Sequence, residues 1–100
     1  MAALSEEPEL AAHCADILKA VAHPLRLRII AILCDGEEHV NRLAEMLGVN
    51  QAVVSQHLRI LRMRDLVTFR RKHGFAKYEL AEPRLADLVA CVERCGRNGA

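Results

Sequence analysis

A mainly α-helical domain carrying one small β-hairpin, in the order α-α-α-α-β-β-α, is the fold predicted by this chain of 100 residues. Three observations point there. Apolar residues recur at helical spacing in several separate stretches. Two β-prone segments, 66–71 and 75–80, flank the basic turn Lys72-His73-Gly74, as a hairpin requires. Gly48-Val49-Asn50 divides the middle of the chain into two short helices that meet at a tight turn. With 52% apolar residues the chain makes one domain, able to bury roughly 65% of the surface its unfolded form exposes.

Residues 1–8 are polar and acidic and are expected to be loose, as are residues 97–100, which leaves 9–96 as the folded unit. Over 9–22 the positions Leu10, Cys14, Ile17, Leu18 and Val21 trace one helical stripe. His23-Pro24 interrupts it, because proline disfavours helical geometry in the residue before it yet fits the first turn of the next helix. That next helix, 25–34, is apolar nearly all round and should form the centre of the core, ending at Asp35-Gly36. Val40, Leu43, Ala44 and Leu47 share the inner face of a third helix; Val54, Leu58 and Leu61 share that of a fourth, over 50–64. Gly48 can take the positive φ that ends the third helix, and Asn50 can cap the fourth. After the hairpin, Glu82-Pro83 opens a last helix whose stripe is Leu85, Leu88, Val89, Val92 and Cys95, with Gly96 as its C-terminal cap.

The fourth helix says what the arrangement is for. Gln51, Ala52, Ser55, Gln56 and Arg59 lie away from its apolar face, so short and amide-bearing groups are presented near a helix N-terminus. Glutamine can make paired hydrogen bonds to adenine in the major groove, and the N-terminal dipole favours phosphate. Asn50 and His57 join them as candidate DNA contacts, although His57 is expected chiefly to pack half beneath the helix. A polar face can also be merely solvated; the preceding helix, the turn and the following basic residues favour DNA. Net charge is only +1, but residues 42–77 hold eight Arg or Lys against Glu45 and Asp65, a local +6 that leaves the rest of the chain at −5. Arg70, Arg71, Lys72, His73 and Lys77 on the hairpin are positioned to grip phosphates as a wing.

The first and last helices each carry a surplus apolar face, so a homodimer through those two helices is expected, placing two reading heads roughly 34 Å apart on a palindrome. The longest apolar stretch, 29–34, is far below the roughly 20 residues needed to cross a bilayer, and the acidic first fifteen residues lack a signal-peptide core; a cytoplasmic protein with reduced thiols is the expectation. Nothing resembles an enzyme: there is no glycine-rich phosphate loop and no nucleophile-and-base pattern.

The residues Leu18-Lys19-Ala20-Val21-Ala22-His23-Pro24-Leu25-Arg26-Leu27-Arg28-Ile29, the run from Leu43-Ala44-Glu45-Met46-Leu47-Gly48 to Val49-Asn50-Gln51, and above all Val54-Ser55-Gln56-His57-Leu58-Arg59-Ile60-Leu61, with Tyr78-Glu79-Leu80 closing the wing, resemble the ArsR/SmtB family of winged helix-turn-helix transcriptional repressors over about residues 10–95. The resemblance implies a homodimer on operator DNA that needs no cofactor to bind and is released by a metal ion, metalloid or reactive sulfur or oxygen species. The family's better-known sensor sites are altered. His39 and Asn41 stand where soft-metal sensors carry a Cys-x-Cys pair, and Glu82, Arg84 and Cys95 where zinc and nickel sensors carry Asp and His ligands. Ala31, rather than Cys34, aligns with the second-helix cysteine of sulfur sensors. What remains is Cys91 and Cys95, four residues apart on the last helix, and Cys14 on the stripe of the first. In a dimer these three thiols could hold As(III) or another thiophilic ion, or form a sulfur bridge. The alternatives are cysteines that only pack, in a constitutive or partner-controlled regulator, and a protein interaction module that uses the same fold without DNA.

Overall fold

The computed structural model describes residues 3–99. Five helices surround one core and a three-stranded antiparallel sheet closes one side, which is a winged helix-turn-helix. α1 (Pro8–Val21) is preceded by a single 3₁₀ turn, Ala3–Ser5, so most of the stretch expected to be loose is locally ordered. At His23 the chain is extended (φ −152°, ψ 135°), as a residue before proline must be, and its ring Nδ1 accepts the Leu25 N–H at 3.1 Å. Histidine thereby supplies the cap that starts α2 (Pro24–Cys34).

α2 is the central element. Ile29 and Ile30 are fully buried and Leu33 nearly so, while α1, α3, α4 and α5 all pack on it. α3 (Val40–Leu47) ends where Gly48 adopts φ 71°, with the Gly48 and Val49 N–H groups both returned to the Ala44 carbonyl. Asn50 then opens α4 (Gln51–Met63), its Oδ1 accepting the Val53 N–H at 2.9 Å. Val54, Leu58 and Leu61 of α4 are fully buried, and burial of each such side chain contributes about 1.5–3 kcal/mol. That anchoring fixes which face of α4 is left outside.

β2 (Val67–Lys72) and β3 (Phe75–Leu80) pair from Val67 with Leu80 to Lys72 with Phe75. The two-residue turn between them has positive φ at both His73 (54°) and Gly74 (82°), the mirror-image turn that matches the twist of a hairpin. A third strand, β1 (Glu38–His39), adds to the outer edge of β3, with Glu38 opposite Tyr78 and His39 opposite Lys77. It was not expected from the sequence. The last helix, α5 (Leu85–Gly99), also differs: residues 82–84 make a tight turn before it, and it runs through Gly96 rather than stopping there. Residues 97–99, expected to be loose, are therefore helical; Ala100 lies outside the described residues.

Candidate nucleic-acid interface

Asn50, Gln51, Ala52, Ser55, Gln56 and Arg59 are all exposed, on the side of α4 opposite its buried leucines. The first turn of this helix carries no acidic residue of its own, and Glu45 of α3, which lines a concavity with Asn50 and Gln51, is paired with Arg42 at 3.3 Å, so the positive dipole end of α4 stays open to an anion. Asn50 has a prior commitment, because its carbonyl oxygen caps the helix; only its amide N–H₂ is left for an outside acceptor.

His57 does not belong with this row. Its ring is turned inward and half-buried, with Nδ1 3.1 Å from Arg26 Nη1 and its centroid 4.4 Å from that of the His23 ring. Arginine can only donate, so Nδ1 is the unprotonated nitrogen and the imidazole is neutral. Burial, then the nearby His23 and Arg26, push its pKa below the ordinary histidine value. Arg26 also donates to the Ala20 carbonyl at the end of α1. His57 thus ties α4 to the α1–α2 junction, in keeping with the half-packed position expected beneath the helix, and its ring is not turned toward the exposed row. The reason is geometric: position 57 adjoins Leu58 and Leu61 at the border of the buried face.

The wing cations are less free than their number suggests. Arg70 makes a two-pronged pair with Glu79, at 3.0 and 2.9 Å. Lys72 Nζ donates to Glu37 Oε1 at 2.8 Å, and Lys77 Nζ stands 3.8 Å from the same oxygen. The bonded Lys72, helped by Lys77 and Arg70, holds the Glu37 carboxyl below its usual range. Arg71 leans over the Phe69 ring, as does Arg62 from α4, at 5.9 and 4.6 Å. Among the described residues no acid pairs with Arg71 or His73. Glu37 and Glu79 were missed by sequence reasoning. Glu79 faces away from Tyr78 on its strand, a signal that alternation carries, but Glu37 reaches the wing only because β1 pairs with β3.

The thiols fall into two environments. Cys91 and Cys95 are exposed on α5, and Cys14 is half-buried on α1. Cys34 is half-buried in a groove between α2 and α5, where burial first, then Asp35 and Glu93, raise its pKa. Among the described residues of one chain no three His, Cys, Asp or Glu side chains gather as a metal site. The convergence of Cys14, Cys91 and Cys95 therefore requires a second copy.

A search of protein families matches residues 23–68 to "Bacterial regulatory protein, arsR family". A biofilm growth-associated repressor of Xylella fastidiosa is 37% identical over 75% of the chain, which spans 66% of that protein. One from Agrobacterium fabrum is 38% identical over 82% of the chain and 70% of its own length. Among solved structures, a homodimeric winged helix-turn-helix DNA-binding domain from Mycobacterium bovis superposes with a TM-score of 0.81 at 28% identity, over 99% of this chain and 90% of that one. The exposed amide row, the wing and these likenesses agree: the chain belongs to the arsR family of bacterial regulatory proteins, a family of transcriptional regulators and not of enzymes.

Proposed function

We propose that two copies of this chain bind a palindromic operator in double-stranded DNA and block transcription, each inserting the first turns of α4 into the major groove with its wing against the neighbouring backbone. The observation that carries this reading is the exposed row of Gln51, Ala52, Ser55, Gln56 and Arg59 on a helix end without acids. The names of the relatives, repressors among them, support it. Support for the dimer comes from Leu10 and Leu18 of α1 and Val92 of α5, which are 37%, 52% and 41% exposed in the single chain. Apolar surface of that kind on both terminal helices is what a second copy would cover. Such a regulator works where the chromosome is, in the cytoplasm.

Binding needs no cofactor in this reading, and release follows when a thiol-reactive effector engages Cys91 and Cys95, with Cys14 of the second copy as a third sulfur. As(III), another thiophilic ion, or a reactive sulfur or oxygen species fits that chemistry. Exposure of the Cys91 and Cys95 thiols favours this over a packing role. The test starts from a duplex selected out of a random-sequence pool. Fluorescence anisotropy should show tight, salt-dependent binding that weakens with As(III), Cd(II) or a persulfide, and Cys91→Ser or Cys95→Ser should abolish the response. Selection that recovers no duplex would end the DNA reading; binding indifferent to all three reagents would end the sensing part.

A further inference from the structure

Of the chain's three aromatic residues, Phe69 and Tyr78 are half-buried and pack on each other at 5.3 Å, whereas Phe75 is 64% exposed. Strand register explains the difference. Phe69 pairs with Tyr78, and Phe75, three residues from Tyr78, faces the opposite side of the sheet. There its ring meets the edge of the His39 ring at 5.7 Å and 72°. His39 is itself fixed, being part of β1 with Nδ1 3.3 Å from the Ala76 carbonyl. The phenyl ring is therefore braced while most of its surface remains in water.

Its position matters more than its exposure. Phe75, Ala76, His39, Val40, Asn41 and Gln51 line a concavity, so that one wall is the wing and the other is the first residue of α4. If α4 enters a major groove and the wing reaches the next minor groove, the strand between those grooves runs through this concavity. A DNA strand offers two chemistries, charged phosphate and apolar deoxyribose. Lys72 and Lys77 on this side of the sheet are turned to Glu37, so the large group that β3 presents to the concavity is the Phe75 ring, across from Asn41 and Gln51. Arg71 and His73 at the tip of the wing supply the positive charge that draws the strand in.

We propose that Phe75, braced by His39, packs on a deoxyribose of the strand held between the wing and α4, an apolar DNA contact that complements the phosphate grips. This rests on the DNA-binding reading above. An apolar contact releases no counterions, so it should be separable from the cationic ones by its indifference to salt. Phe75→Ala should weaken binding of the selected duplex roughly tenfold, in line with losing part of the burial of two phenyl rings, one from each wing of the dimer. The slope of affinity against salt and the melting temperature should stay as in the unaltered protein. The chain contains no tryptophan, so Phe75→Trp creates a single emitter at the proposed contact; saturating duplex should shift its emission to the blue or quench it. Equal affinity for Phe75→Ala and the unaltered protein, or Trp emission unmoved by saturating duplex, overturns the proposal while leaving DNA binding intact. An unaltered protein that binds no duplex overturns both.

Discussion

Replacing Glu37 by Gln should strengthen DNA binding and steepen its salt dependence. The Glu37 carboxylate lies between two wing ammonium groups, 2.8 Å from Lys72 and 3.8 Å from Lys77, so the three together carry +1 rather than +2. A phosphate approaching either lysine must displace or tolerate that carboxylate. Glu37→Gln removes one negative charge from each wing, two from a dimer. Each added phosphate neutralisation contributes about 0.9 to the slope of log affinity against log salt, so the dimer should gain about 1.8; a fourfold rise in salt should then weaken the variant roughly tenfold more than the unaltered protein. Anisotropy titrations of the selected duplex at several salt concentrations measure this directly. Glu9→Gln, the same charge change in the first turn of α1, is the control. The melting temperature should hardly move, because exposed ion pairs add little to stability. Parallel slopes for Glu37→Gln and the unaltered protein, or equal steepening in Glu9→Gln, would show that Glu37 does not compete with DNA.

Three further outcomes are expected. His57 has a folded pKa pushed below its ordinary value of 6.5 by burial and by its His23 and Arg26 neighbours. The unfolded chain therefore takes up that proton first, so the stabilisation is complete above about pH 6.5 and is lost as pH falls through the folded value. Urea midpoints should drop on acidification, and less so in His57→Gln; identical pH dependence in the two would contradict the assignment. Leu58→Ala empties a fully buried site under the reading helix and should cost about 2–5 kcal/mol in urea unfolding, and a loss below about 1 kcal/mol would mean that α4 is not seated as described. Finally, a chromogenic disulfide should label the exposed Cys91 and Cys95 before Cys34, whose thiol is held protonated by burial and by Asp35 and Glu93. Mass spectrometry gives the order, and labelling of Cys34 as fast as Cys91 would count against it.

The helices and the hairpin were legible because each rests on a repeating local pattern strong enough to be read in one dimension. Val54, Leu58 and Leu61 mark a face, and Gly48 and Asn50 mark the turn that separates two faces; all five behave as their chemistry requires. β1 was not legible, since two residues, Glu38 and His39, are too short for alternation to show, and the strand exists only because the outer edge of β3 is there to pair with it. Gly96 misled for a related reason. Glycine past the last apolar residue suggests a left-handed cap, but nothing requires that conformation at position 96. α5 continues through it at a cost of about 1 kcal/mol relative to alanine.

The site was legible in its groups and illegible in its pairings. A count along the chain places +6 in residues 42–77 and assigns Glu37 and Glu79 to the acidic remainder. Folding returns both to the wing, where they meet Arg70, Lys72 and Lys77. Composition can state how much positive charge a segment holds, but only the sheet register states how much of it is already occupied. The same register turns Phe75 away from the Phe69–Tyr78 pair and toward Gln51. In the DNA-binding reading proposed above, the two-residue strand at the edge of the wing therefore helps to set how much of its positive charge is open to phosphate. Changes that unpair β1 from β3 should therefore alter salt dependence without touching any cation.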